Sequence, residues 1–161
     1  MEKIPVRYVQ EPLALMVNGE LRLNPRNTVF WNDPGRFGAR QHAAGFWSSA
    51  DPGHVVFHET GHEAQVKRLH HFLVTNTPAK REPDIFTLEW VRSTFPEGNM
   101  NRAMEEIITP ELAPRILAQV GRHALTTTQE FVAEVFAGRM AGRQYDPEIK
   151  QLYEDWFGQV I

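Results

Sequence analysis

The segment from Asp51 to His71 constrains the fold more than any other part of the sequence. Asp51 and Pro52 favour a helix start, the first as N-cap and the second in the first turn. The residues that follow can continue as one helix to about His71. On such a helix the four-residue step from His58 to His62 places both imidazoles on one face, about one turn apart. The sequence therefore predicts one long helix that presents paired histidines.

The size and charge of the chain limit its organisation and its partners. With 161 residues, 42% of them hydrophobic, we predict one domain over residues 1–161. A net charge of -3 shows no basic excess, so neither nucleic acid nor a membrane is an expected partner. No apolar run approaches the roughly 20 residues that span a bilayer, and the N-terminus lacks the apolar core of a signal peptide. We therefore expect a cytoplasmic protein, although signal-independent export is compatible.

The N-terminal part of the sequence favours strands. Leu13 to Leu23 forms two short apolar stretches around Asn18-Gly19, which predicts a β-hairpin with a tight turn. Residues 24–53 contain prolines and glycines that indicate irregular loops, interrupted by one β-prone run at Thr28 to Trp31. We expect this small sheet to pack on the histidine-bearing helix.

The C-terminal half is predicted to be helical after a loop over residues 74–84. Five segments carry helical patterns or caps: Phe86 to Phe95, Met100 to Ile108, Ala113 to Ala124, a helix capped within Thr126 to Thr128, and a closing helix after Asp146-Pro147. In the fourth of these, Phe131, Val135 and Phe136 mark a buried stripe. Strands followed by helices argue for an α+β fold.

The histidine pair belongs to a five-residue motif, His58-Glu59-Thr60-Gly61-His62, which matches H-E-x-x-H. Because the chain has no cysteine, any metal site must use His, Asp or Glu, and this set suits a catalytic Zn²⁺. Glu59 is rotated by roughly 100° from His58, so it can act as general base on the metal-activated water rather than as a ligand. Gly61 lacks a side chain where another element could approach. The competing interpretation is an ordinary helix whose histidines face solvent.

A catalytic zinc takes a third protein ligand, and the sequence limits where it lies. Gln65 and Arg68 stand where the all-histidine extension of the motif needs Gly and His, which excludes that class. Glu130 and Glu134 lie four apart on one helix face and are the best candidates. Glu130 is preferred as ligand and Glu134 as the residue that orients an imidazole. Alternatively, Glu130 completes a capping box with Thr127, and Glu134 forms an ordinary ion pair, for example with Arg139 or Arg143.

The combination of HETGH with a later EFVAE resembles the glutamate-zinc peptidases (gluzincins). The similarity is to the catalytic domain of anthrax lethal factor and to compact metallopeptidase domains associated with phage head-morphogenesis proteins. It covers roughly residues 50–142 and is strong only at the two motifs. The resemblance implies that His58, His62 and Glu130 bind the metal, that Glu59 is the base, and that Glu134 supports a ligand. It also implies a substrate-pairing strand near the cleft, around Thr28 to Trp31.

The sequence departs from this pattern at one position. His123 stands where lethal factor has a tyrosine that can stabilise the developing oxyanion. A histidine can donate an equivalent hydrogen bond, so we expect His123 to be catalytic, with Tyr145 and Tyr153 as substitutes. Alternatively, His123 is a helix-end residue favoured by the dipole.

These features predict a zinc metallopeptidase that hydrolyses peptide bonds in a peptide or protein substrate. No cofactor other than Zn²⁺ is expected. One alternative is a zinc-stabilised structural or assembly module without turnover, and another is a toxin or effector protease directed at a host protein. The intact Glu59 weighs against a purely structural site, which has no need of a base.

Overall fold

A computed structural model describes residues 6–8, 13–17, 20–76 and 109–156 of the chain. The described part is mostly helical, with short strands near the N-terminus. This composition is consistent with a small α+β domain. Among these residues, every helix is too short or too polar to cross a membrane.

Three short strands precede the first helix. They are β1 (Val6–Tyr8), β2 (Ala14–Val17) and β3 (Glu20–Leu23). β3 lies between the other two, parallel to β1 and antiparallel to β2. The antiparallel pair occupies the two arms of the predicted hairpin, whose turn residues Asn18 and Gly19 lie outside the described residues. Ala14 and Leu21 are buried together with Phe30 and Trp47, so the strands have their own small core.

The predicted strand at Thr28 to Trp31 is wrong, because these residues form helix α1 (Thr28–Asn32). The Asn27 side chain accepts a hydrogen bond from the Phe30 backbone N–H at 3.1 Å and so caps the turn. Phe30 is 3% exposed and anchors the turn in the core. Cap and burial together override the β propensity of the sequence. The substrate-pairing strand implied by the resemblance is therefore not at this position.

A second helix, α2 (Pro34–Ala43), lies where irregular loops were expected. The Asp33 side chain accepts a hydrogen bond from the Arg36 backbone N–H at 2.9 Å, and Pro34 occupies the first turn. Gly38 lets this helix approach the chain that leads into the next one, since a Cβ there would lie 3.0 Å from the Ala50 carbonyl oxygen.

The motif helix, α3 (His54–Asn76), begins two residues later and ends five residues later than expected. The Asp51 side chain accepts a hydrogen bond from the Gly53 N–H at 2.7 Å, and its carbonyl accepts one from the His54 N–H at 3.0 Å. Asp51 therefore organises a turn ahead of the helix instead of capping it directly. The helix continues into the start of the predicted loop, and residues 77–84 of that loop lie outside the described part.

The C-terminal helices are α4 (Leu112–Gln119), α5 (Thr128–Met140) and α6 (Pro147–Asp155), with a 3₁₀ turn at His123–Leu125. The predicted helix from Ala113 to Ala124 ends early because Gly121 has a φ of +133° and lies against the Phe46 carbonyl. The caps by Thr127 and Asp146 are confirmed. The predicted helices at Phe86 to Phe95 and Met100 to Ile108 lie outside the described residues.

Helix α5 is the centre of the main core. The predicted stripe of Phe131, Val135 and Phe136 is buried, but so is every residue from 131 to 138. The helix is enclosed because α3, α4 and α6 pack around it, with Ile116, Ile149 and other apolar residues against it. Each large apolar side chain buried here contributes about 1.5–3 kcal/mol, so the position of α5 is strongly determined.

Candidate metal centre

Helices α3 and α5 cross at Gly61, within the HETGH motif. A Cβ at this position would lie 2.9 Å from the Ala133 Cα and 3.0 Å from the Phe136 Cβ. Only glycine leaves room for the two backbones to come this close, which confirms the expectation that another element approaches Gly61. The crossing brings the histidines of α3 opposite the glutamates of α5.

Three side chains from these helices converge at one point. His58 Nε2 lies 3.1 Å from His62 Nε2 and 2.9 Å from Glu130 Oε2. His62 Nε2 lies 3.7 Å from Glu130 Oε1. The structure thus brings together the two motif histidines and the glutamate preferred as third ligand.

The spacing of these donor atoms fits a tetrahedral zinc ion. Two ligands at bond lengths of about 2.0–2.1 Å from such an ion lie about 3.3 Å from each other. The observed separations of 3.1 Å between the two histidines and 2.9 Å between His58 and Glu130 Oε2 lie close to that value, while His62 is 3.7 Å from the other carboxylate oxygen, Oε1. Two imidazoles and one carboxylate are also the donor set of a catalytic zinc with one position left open. His58, His62 and Glu130 could therefore hold Zn²⁺.

The Glu130 carboxylate points to the histidines and not back along its helix. The Thr127 hydroxyl accepts a hydrogen bond from the Glu130 backbone N–H at 3.0 Å, which is the first half of a capping box. The second half is absent within the described residues, because the carboxylate lies against His58 and His123. The capping-box interpretation of this side chain is wrong.

Glu134 lies directly behind His58. Its Oε1 is 3.1 Å from His58 Nδ1 and 3.2 Å from His54 Nε2, while its Oε2 accepts a hydrogen bond from the Ser48 N–H at 2.7 Å. A carboxylate at Nδ1 turns the imidazole so that Nε2 faces the candidate metal position. The alternative, in which Glu134 pairs with Arg139 or Arg143, is wrong, since Glu134 contacts Ser48 and the two histidines while Arg143 donates to the Ser48 carbonyl.

The two carboxylates and the histidines shift one another's pKa values. Burial lowers the pKa of His58, but Glu130 and Glu134 outweigh that effect and raise it to about 10. Burial and the neighbouring charge of His58 lower the pKa of His62 to about 4. Burial also raises the pKa of both carboxyls, yet the surrounding histidines hold it well below the usual range. Both glutamates are thus ionised at neutral pH, and a metal ion would replace the Nε2 proton of His58.

His123 also lies at the centre. Its Nε2 is 2.9 Å from Glu130 Oε2, and its ring stacks on His58 with centroids 5.4 Å apart. Phe46 covers the other side of the ring at 4.8 Å, so the imidazole is held between two rings. It is 26% exposed and reaches the edge of the site. This position permits either a hydrogen bond to substrate or a bond to the metal.

The other candidates occupy different environments. Glu59 is 9% exposed and follows His58 on α3. The Tyr145 hydroxyl lies against Gly138, where it occupies the space of a Cβ, and burial raises its pKa to about 12. Tyr153 is fully buried in the main core. The structure therefore favours His123 over both tyrosines as a group at the centre.

Sequence reasoning missed the residues behind the centre. Ser48, Ser49 and Trp47 precede α3 in a segment that has no helical or strand pattern. His54 lies one turn before His58 on the same helix face, but its partner Glu134 is 80 residues away in the sequence. Two other groups could also hold a metal ion: His54, His58 and Glu134, which are all buried, and His58, His123 and Glu130. We favour His58, His62 and Glu130 over the buried group, because Glu134 already accepts hydrogen bonds from the Ser48 N–H and from His54.

Comparisons with known protein-family models, curated proteins and solved structures gave no match. A function can therefore be inferred only from the geometry of this centre and from the motifs.

We expect Gly61→Ala to weaken both the fold and the metal centre. The new methyl group would meet backbone atoms of α5, so the helices must separate, at a cost of about 1–3 kcal/mol that exceeds the roughly 1 kcal/mol gained from helix propensity. Zinc affinity should fall about 10-fold, because the ligands come from both helices. Denaturant unfolding and chelator competition measure the two effects. Thr60→Ala is the control, because Thr60 bonds the Val56 carbonyl on the exposed side of α3; equal effects of both substitutions would contradict the prediction.

Proposed function

We propose that the chain is a zinc-dependent metallopeptidase of the glutamate-zinc type, acting on a peptide or protein substrate. The observation that carries this proposal is the convergence of His58, His62 and Glu130, with donor atoms 2.9–3.7 Å apart. Glu59, the glutamate of the HETGH motif, supports a hydrolytic role, because a purely structural zinc site has no need of a base. The motif resemblance supports the same reaction class.

Each residue of the centre would have its own role in the reaction. Bound Zn²⁺ supplies a Lewis acid that polarises a carbonyl and lowers the pKa of a coordinated water to about 7. Glu59 would accept the proton of the attacking water and pass it to the leaving amine. His123 would donate a hydrogen bond to the oxyanion that develops on the carbonyl. Glu134 would keep the His58 ring in its ligating orientation.

A second candidate is a structural or assembly module that binds zinc without turnover. It is favoured by His123, whose Nε2 lies 2.9 Å from Glu130 Oε2 and could serve as a fourth protein ligand. Four protein ligands would close the coordination sphere and leave no position for water or substrate.

Zinc analysis combined with a peptide-cleavage assay tests the proposal. The purified chain should contain one zinc per molecule and cut members of a mixed peptide library. Cleavage should stop when a chelator removes the metal and return when Zn²⁺ is restored. A chain without stoichiometric zinc contradicts both candidates, whereas a zinc-loaded chain that cleaves nothing supports the structural module.

In this proposal the α+β arrangement, with the N-terminal strands packed beside α3, would form one wall of the substrate cleft. A cytoplasmic location is proposed from the composition of the chain. Action as a toxin or effector protease is an alternative within the same reaction class, distinguished by cleavage of one protein instead of many peptides.

A further inference from the structure

Behind the candidate metal centre, buried hydrogen bonds link Ser49 to His54 and His54 to Glu134, and Glu134 in turn lies 3.1 Å from His58 Nδ1. We infer that His54 is a positioning residue, which acts through Glu134 to hold the His58 ring in its metal-binding orientation. This inference rests on the proposed zinc centre, but it concerns residues that do not touch the metal or the substrate.

His54 is built into the protein interior in one orientation. The residue is 1% exposed, and its ring stacks on Trp47 with centroids 4.4 Å apart and planes 20° apart. The Ser49 hydroxyl lies 3.2 Å from Nδ1 and can donate to it. Because an ionised carboxylate only accepts, Nε2 is the ring nitrogen that carries a proton toward Glu134, and Nδ1 can accept from Ser49. That N–H points to Glu134 Oε1 at 3.2 Å.

Glu134 depends on these contacts because it is fully buried. One oxygen faces both imidazoles, His54 Nε2 at 3.2 Å and His58 Nδ1 at 3.1 Å, while the other accepts from the Ser48 N–H. Arg143 in turn donates to the Ser48 carbonyl and anchors that segment. Without His54, Glu134 Oε1 keeps only its contact with His58 Nδ1. The carboxylate can then rotate about the hydrogen bond that its other oxygen accepts from Ser48. Rotation would release the imidazole that it orients.

The competing possibility is that His54, His58 and Glu134 bind a second metal ion. This would require His58 to present a lone pair from each ring nitrogen and to bridge two ions. It would also place an ion between His58 Nδ1 and the Glu134 carboxylate, which lie 3.1 Å apart. The hydrogen bonds from the Ser48 N–H and from His54 satisfy the Glu134 carboxylate without either requirement.

His54→Phe and His54→Gln test the inference as a pair. Phenylalanine keeps the stacking on Trp47 and removes both polar contacts, whereas the glutamine amide nitrogen can still donate to Glu134. Val55→Ala is the matched control, because Val55 is buried in the same helical turn but packs in the small N-terminal core. Zinc dissociation constants come from chelator competition, and the visible absorption spectrum of the Co²⁺-substituted protein reports ligand geometry.

We expect His54→Phe to weaken zinc binding by about 10- to 100-fold and to alter the Co²⁺ spectrum. His54→Gln should restore most of the affinity and the wild-type spectrum, and Val55→Ala should change neither. If His54→Phe does not fold, Ser49→Ala replaces it, with a smaller loss of affinity expected.

Three results would overturn the inference. Unchanged affinity and spectrum in His54→Phe, or in Ser49→Ala where it stands in, would remove any positioning role. Equal losses of zinc affinity in Val55→Ala and His54→Phe would show that His54 only stabilises the fold and does not position His58. Two metal ions per wild-type chain, falling to one in His54→Phe, would assign His54 to a second metal site. A wild-type chain that binds no zinc would contradict the proposed function instead, so the two failures are distinguishable.

Discussion

Glu59→Gln should lower peptide hydrolysis by about 10²- to 10⁴-fold while the chain retains its zinc. The amide has nearly the shape of the carboxylate but cannot accept a proton from water at neutral pH. The ligands His58, His62 and Glu130 remain in place, so the metal affinity should stay within a fewfold of the wild type. Initial rates on a cleaved library peptide, with zinc content measured on the same samples, give both quantities.

Glu63→Gln is the matched control for this experiment. Glu63 lies one turn after Glu59 on α3, is buried, and pairs with Lys67 at 3.8 Å. The same chemical change on the same helix should leave the rate near the wild-type value. If Glu59→Gln keeps full activity, Glu59 is not the base, and the proposed roles of the residues around the metal must be reassigned.

The metal motif could be predicted because its geometry is local. The four-residue step from His58 to His62 places both imidazoles on one face of any α-helix, whatever the remainder of the chain does. The caps by Thr127 and Asp146 could be predicted for the same reason, since each bonds a backbone N–H three residues ahead. The Asp33-Pro34 signal of α2 has the same form and was overlooked among the surrounding glycines.

Contacts between distant segments could not be predicted in this way. The bond from the Ser48 N–H to Glu134 joins residues 86 apart, and no spacing rule links them. Glu130 was preferred as the ligand from the sequence and the resemblance agreed, but spacing alone left Glu134 as an alternative, because both carboxylates lie on one face of the helix. At Thr28 to Trp31, local propensity favoured a strand, but burial of Phe30 and the Asn27 cap selected a helix. Tertiary contacts determine the secondary structure of such short segments.

Comparison of Glu130→Gln with Glu134→Gln should separate the metal ligand from the residue behind it. Glu130→Gln removes a charged donor and should weaken zinc binding by more than about 100-fold, whereas Glu134→Gln should weaken it by about 10- to 100-fold. For the free energy of unfolding we expect the reverse order, with the greater loss in Glu134→Gln. Glu134 is fully buried and accepts from nitrogen donors on both oxygens, so an amide NH₂ would oppose at least one of them.

Thermal unfolding of the metal-free variants and chelator competition on the folded proteins measure the two effects independently. Glu134→Gln should lose about 1–3 kcal/mol of stability in the absence of metal, and Glu130→Gln less, because its carboxylate reaches the edge of the site. The assignment depends on this crossed pattern and not on either loss alone. If Glu134→Gln shows the greater loss of zinc, the metal lies among His54, His58 and Glu134, and Glu130 becomes the supporting carboxylate.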